Sequence, residues 1–192
     1  MKDFNLFHFF RNLYQRIFAA GQKKNSFAQL IKITGADKQT NLTDEVKNKL
    51  AKLISYQQEQ PAANKSSLHL LLNHTDKKLN YNTGRWLAAH QNKDLYRVYL
   101  SRVVSKYIGE TEKNLDRVFS IAHNKDWILF FDEADALFSK RTDVKDAHDR
   151  HANVVSSYFL QHIKQYTGIV LINCNTDDCL KKCQLEGFKI MS

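Results

Sequence analysis

Two adjacent carboxylates, Asp132 and Glu133, close the run Trp127-Ile128-Leu129-Phe130-Phe131. An apolar run of that length suits a strand buried on both faces. Ligands of open α/β sheets bind just beyond the carboxyl ends of their strands, so an acidic pair there is placed for metal–phosphate chemistry. The plainer reading is that a buried strand simply ends in a solvated charge, and the pair alone does not separate the two.

To position such a pair, the chain must build a parallel sheet. Beyond residue 62, apolar runs at 68–73, 95–100, 127–132 and 169–174 alternate with amphipathic stretches at 83–91, 110–123 and 149–165. That is the pattern of strands joined by crossover helices. Leu115, Val118, Phe119 and Ala122 share one face of the second helix, and Val155, Phe159 and Ile163 one face of the third. The earlier part is organised differently. Residues 4–18 predict a helix with a broad aromatic face that includes Phe10, Leu13, Ile17 and Phe18. That face suits packing on its own domain or a partner, or else peripheral contact with a membrane interface. A short apolar segment at 27–34 stops at Gly35, and a second helix is expected over 43–56 with Val46, Leu50, Leu53 and Ile54 inward. The polar stretch 57–67 holds the only proline, Pro61, and reads as a linker. Two units are expected: a helical N-terminal segment with its linker over 1–62, and an α/β domain over 63–192.

The composition suits a soluble globular protein, with 43% hydrophobic and 26% charged residues in 192. No apolar run reaches membrane-spanning length, and Asp3, His8 and Arg11 interrupt the N-terminal apolar residues in a way a secretory signal would not. A cytoplasmic setting is the expectation. The net charge of +9 is concentrated in the first 62 residues, which carry ten basic and five acidic residues against nineteen and fifteen in the rest. This serves an acidic partner or anionic surface, or is a solvated basic face. Cys174, Cys179 and Cys183 are an odd number with a poor zinc spacing. They read as reduced thiols, with one regulatory or accidental disulfide left open.

The continuation of the acidic strand, Ala134-Asp135-Ala136-Leu137-Phe138-Ser139-Lys140-Arg141, and the segment SKYIGETEKNL at 105–115 together closely resemble the AAA family of ring-forming ATPases. Residues 94–119 are also similar to AAA proteins encoded beside contractile injection systems. The resemblance covers about 66–180. It implies a three-layer α/β, P-loop NTPase-like core, in which Asp132 holds magnesium, Glu133 polarises the attacking water, and Asn175 orients it as the first sensor, with Asn173 the other candidate. Lys106, Tyr107, Ile108 and Gly109 fall in the family's pore loop, where Tyr107 would grip a threaded polypeptide. Arg150 and Asn153 match the opening of a family helix.

Other parts depart from the family. Its phosphate loop, G-x-x-x-x-G-K-[ST], uses glycines to curl backbone N–H groups around phosphate, a lysine for the terminal phosphates and a hydroxyl for magnesium. Counting back from the second strand, that loop falls on His74–Tyr81, where Asn80 stands in the lysine position and Tyr81 in the hydroxyl position. None of the six glycines lies between 36 and 83. Lys77 and Lys78 could supply charge, or could belong to a solvated turn. No arginine follows Arg150, so the family's in-trans arginine fingers have no counterpart here. With few residues after Asp178, the family's C-terminal helical lid is not expected.

The sequence thus reads as a degenerate AAA ATPase-like protein that does not hydrolyse ATP and needs no cofactor. It would act as a binding or regulatory subunit toward an intact AAA relative, in a hetero-oligomer, or toward that relative's client. One alternative is an active ATP-dependent remodeller with an unconventional loop, using ATP and magnesium. Another is a membrane- or nucleic-acid-associated adaptor, although no nucleic-acid reader motif is present.

Overall fold

The computed structural model describes residues 27–59, 67–123, 125–138 and 148–191. The helix expected over 4–18 lies outside them, as do the side chains of Arg150 and Asn153. In chain order the elements are β1 (Ala28–Ile31), a 3₁₀ turn (Gly35–Gln39), α1 (Asp44–Glu59), β2 (Leu68–Leu72), α2 (Lys77–His90), β3 (Leu95–Tyr99) and α3 (Leu100–Val103). Then follow α4 (Glu110–Ala122), β4 (Ile128–Asp132), α5 (Asp135–Phe138), α6 (His148–Gln165), β5 (Ile169–Asn173), α7 (Asp177–Leu185) and β6 (Lys189–Met191).

Alternation of apolar side chains across each strand builds a core on both faces of one six-stranded sheet, ordered β1-β3-β4-β5-β2-β6. Leu70, Leu72, Phe130 and Leu171 face one way and meet Val46 and Leu50 of α1 and Trp86 and Leu87 of α2. Leu71, Val98, Phe131 and Ile172 face the other way, against Leu115 and Val118 of α4, Phe159 and Ile163 of α6, and Cys179 and Cys183 of α7. The arrangement is the three-layer α/β core expected. Helix α2 lies close on its layer: a Cβ at Gly84 would stand 3.0 Å from Cδ2 of Phe130.

The pairings β2–β5, β2–β6, β3–β4 and β4–β5 are parallel, whereas β1 runs antiparallel along β3. Residues 28–59, expected as a helical segment ahead of the core, therefore contribute a strand to the same sheet and a helix to its cover. The 3₁₀ turn ties this segment to α2, since Arg85 Nε donates to Asp37 Oδ1 at 2.8 Å. Burial pushes the Asp37 carboxyl up, but the bonds it accepts from the Thr34 backbone and hydroxyl, together with Arg85, outweigh that and hold it below its ordinary value.

The largest difference from expectation is at α2. Its start was expected at residue 83 but lies at Lys77, so the last residues of the supposed phosphate loop form the helix's first turn. The physical reason is local. Asp76 is an N-cap whose carboxylate accepts from the Lys78 N–H at 2.8 Å, and no glycine is present to bend the chain away. The connection between β2 and α2 is thereby reduced to residues 73–76.

Candidate functional site

The register of the parallel strands sets Leu72 beside Asn173 and Tyr99 beside Asp132, so the carboxyl ends of four strands line one rim. This is where an open α/β sheet binds its ligand. Asp132, the last residue of β4, is 5% exposed. Its Oδ2 accepts from Arg97 Nε at 3.0 Å and also from Arg97 Nη2. Its Oδ1 accepts from Asn173 Nδ2 at 2.7 Å and from the Glu133 N–H at 2.9 Å. Both oxygens are therefore engaged by the protein itself.

Arg97 comes from the middle of β3 and projects to the rim between two aromatic rings, 4.4 Å from the Tyr81 centroid and 4.7 Å from that of Tyr99. A guanidinium between ring faces gains cation–π attraction while its fork stays free for a carboxylate. Tyr81, in the second turn of α2, thus has a ring beneath an arginine at the position where the family would place a magnesium-binding hydroxyl.

Asn80 is wholly buried. Its Nδ2 donates to the His74 carbonyl at 2.9 Å and to Asn173 Oδ1 at 2.8 Å, while its Oδ1 accepts from the His74 N–H at 3.2 Å. The side chain in the lysine position thereby stitches the β2–α2 turn shut and continues through Asn173 to Asp132. Lys77 and Lys78, on the first turn of α2, are exposed.

Glu133 adopts φ 57°, a left-handed conformation uncommon for a residue with a side chain. Its carboxylate accepts a hydrogen bond from Ser101 Oγ, just past the end of β3. Asn175 is exposed, and its N–H donates to the Asp135 carboxylate at 3.1 Å. Of the two sensor candidates it is Asn173 that reaches Asp132.

The pore-loop residues lie apart from this network. Tyr107 and Ile108 are 59% and 88% exposed, and Lys106 is exposed beside Tyr107 with its Nζ 5.1 Å from the ring centroid. Gly109 takes φ 77°, a left-handed turn that glycine adopts without strain, and starts α4. The base of the loop is fixed where the Ser105 N–H donates to Thr111 Oγ1 at 2.9 Å.

The cysteines are not three reduced thiols. Cys174 and Cys179 are joined by a disulfide and Cys183 is a free, buried thiol. Spacing could not foretell this, because the pairing depends on α7 turning back over the end of β5.

The sequence profile of the ATPase family associated with various cellular activities (AAA) matches residues 82–187, more than half of the chain. The chain belongs to the AAA family. Over 73 residues it is 41% identical to an uncharacterised AAA family ATPase, y4kL, of Sinorhizobium fredii (strain NBRC 101917 / NGR234), a match covering 38% of this chain and 22% of that protein. Over 68 residues it is 43% identical to the ATPase family gene 2 protein of Schizosaccharomyces pombe (strain 972 / ATCC 24843), covering 34% of this chain and 8% of that protein. The matches thus span less than a quarter of either relative. The AAA profile match opens at residue 82, one position past Tyr81. No helix among the described residues is long and apolar enough to cross a membrane.

Arg97, Asn80 and Ser101 were not singled out for these contacts from sequence. The usable signal for Arg97 was a lone charge inside an otherwise apolar strand, Leu95-Tyr96-Arg97-Val98-Tyr99. A charge so placed needs a buried partner, and Asp132 is that partner.

Proposed function

We propose that this AAA-family chain does not hydrolyse ATP and serves as a binding or regulatory subunit toward an intact AAA relative or that relative's client. The observation that carries the reading is the closed polar chain from the His74 backbone through Asn80 and Asn173 to Asp132 and Arg97. A magnesium–nucleotide does not fit these residues as they stand. The backbone that would cradle phosphate is the first turn of a helix, and the Asp132 oxygens that would face the metal are held by a guanidinium, an amide and a backbone N–H. Opening the site would unpair several buried groups at once, each costing about 1–3 kcal/mol. The exposed residues Lys106, Tyr107 and Ile108, by contrast, support a role in contact with another protein.

Titration of the purified chain with magnesium–ATP, followed by thermal melting and phosphate release, tests the first half. No melting shift and no turnover above a Glu133→Gln control are expected. A shift that disappears in Asp132→Asn would instead support the active reading. The second half is tested by mixing the chain with a catalytically intact AAA protein. Co-elution with a changed ATPase rate is expected, and no complex and no rate change at excess would remove the regulatory role.

A further inference from the structure

We propose that Cys174 and Cys179 form a reversible oxidation site, closed by low-molecular-weight disulfides, that clamps the turn carrying Asn173 onto the acidic end of β4. The two residues are wholly buried, joined, and five positions apart, bracketing the connection from β5 into α7. Asn173, whose amide holds Asp132, immediately precedes the first sulfur. The same connection is bound to the β4–α5 turn at several points. Asn175 and Thr176 donate their backbone N–H groups to Asp135, the Thr176 hydroxyl donates there at 2.7 Å, and the Ala134 N–H donates to the Asn173 carbonyl at 3.1 Å. A bridge across the connection therefore restrains both turns.

Proximity selects this pair: the two sulfurs are already joined, whereas Cys183 stays a free thiol. Asp135 has a carboxylate oxygen within 4.8 Å of both sulfurs, so the pair sits against the β4–α5 turn. Cys183 lies one helical turn beyond Cys179. Burial, with Glu186 and Asp135 adding to it, pushes the Cys183 thiol up to about 12, so little thiolate is available there to attack the bridge. Access to the pair comes through opening of α7, a helix of nine residues.

In the forward direction one cysteine thiolate attacks a small disulfide, forming a mixed disulfide and expelling one small thiol. The second cysteine then attacks the protein sulfur and expels the other. Two S–H bonds become one protein S–S bond, the small disulfide is reduced to two thiols, and those thiols carry away both protons.

The test equilibrates the full chain in buffers of graded oxidised-to-reduced glutathione, quenches with an alkylating agent, and maps the products by peptide mass. The expected result is reversible loss of two thiols assigned to Cys174 and Cys179, with Cys183 alkylated only after denaturation. The oxidised form should melt about 4–8 °C above the reduced form. Cys183→Ser should keep both results, and either Cys174→Ser or Cys179→Ser should lose them. Three outcomes would overturn the proposal: a dominant bridge to Cys183, a glutathione adduct that does not resolve, or thiols that stay reduced at every ratio. Protection of those reduced thiols by added zinc would then point to a metal site formed with Asp135.

Discussion

The β2–α2 turn and the β3–α4 segment stand at the same rim of one sheet, yet they have been treated in opposite ways. In the first, the side chains of Asn80 and Tyr81 are engaged within the protein: Asn80 with His74 and Asn173, Tyr81 with Arg97. In the second, Tyr107 and Ile108 are offered to solvent on a loop whose base is hydrogen-bonded but whose tip is not covered. Internal satisfaction makes for stability, and external display makes for contact. The difference teaches that two turns at one sheet rim are handled independently, because each is held by its own local set of bonds.

Asp132→Ala should have the largest effect on this contrast. It leaves the Arg97 guanidinium without its carboxylate and the Asn173 amide without its acceptor, so urea unfolding should show a loss of about 3 kcal/mol. A loss below about 1 kcal/mol would mean that the carboxylate is in effect solvated and available to a cation, and the two regions would then be alike.

How much of this could be read beforehand depended on how local the cause was. The four central strands and α4 followed from runs and periodicity, since burial on both faces leaves a continuous apolar signature. The edge strand β1 was seen only as a short apolar segment, because its pairing with β3 joins residues far apart in sequence. The amphipathic pattern places the start of α2 at residue 83, six residues late, although Asp76 is a legible cap. Choosing between Asn173 and Asn175 required knowing where β5 ends, because residues two apart share a strand face and only Asn173 lies on β5, beside Leu72.

A medium-sized effect is expected from acid. The β2–α2 side carries His69 and His74, each with a buried Nε2 that has no hydrogen-bond partner. Burial holds His69 below its ordinary value. His74 is lowered by burial and then by Lys49, with Asp76 opposing. The unfolded chain takes up these protons near pH ~6.5 while the folded one still excludes them. Stability should therefore fall as pH drops below about 6.5 and keep falling until the folded imidazoles protonate. His69→Phe, which retains a ring to stack on Phe188, should flatten the slope measured by urea unfolding between pH 7 and pH 5. An unchanged slope would shift the cause away from β2.

The smallest effect should be that of Tyr107→Ala. With its ring largely in solvent, the substitution should alter unfolding free energy by no more than about 0.5 kcal/mol. A larger loss would show that the loop tip is packed in solution and is not a displayed surface.

The antiparallel strand β1 has a consequence for how this protein can meet another. A parallel sheet ending at β3 would present a row of unpaired backbone donors and acceptors, a template on which any extended chain could continue the sheet. β1 covers that row from Ala28 to Ile31, and the opposite border ends in β6, three residues long with the exposed Lys189 at its start. β1 then becomes the border itself, so among the described residues the sheet ends in strands of four and three residues, short enough to limit strand addition. Short borders leave recognition mainly to side chains, which can tell apart partners that differ in sequence in a way that backbone pairing would not allow.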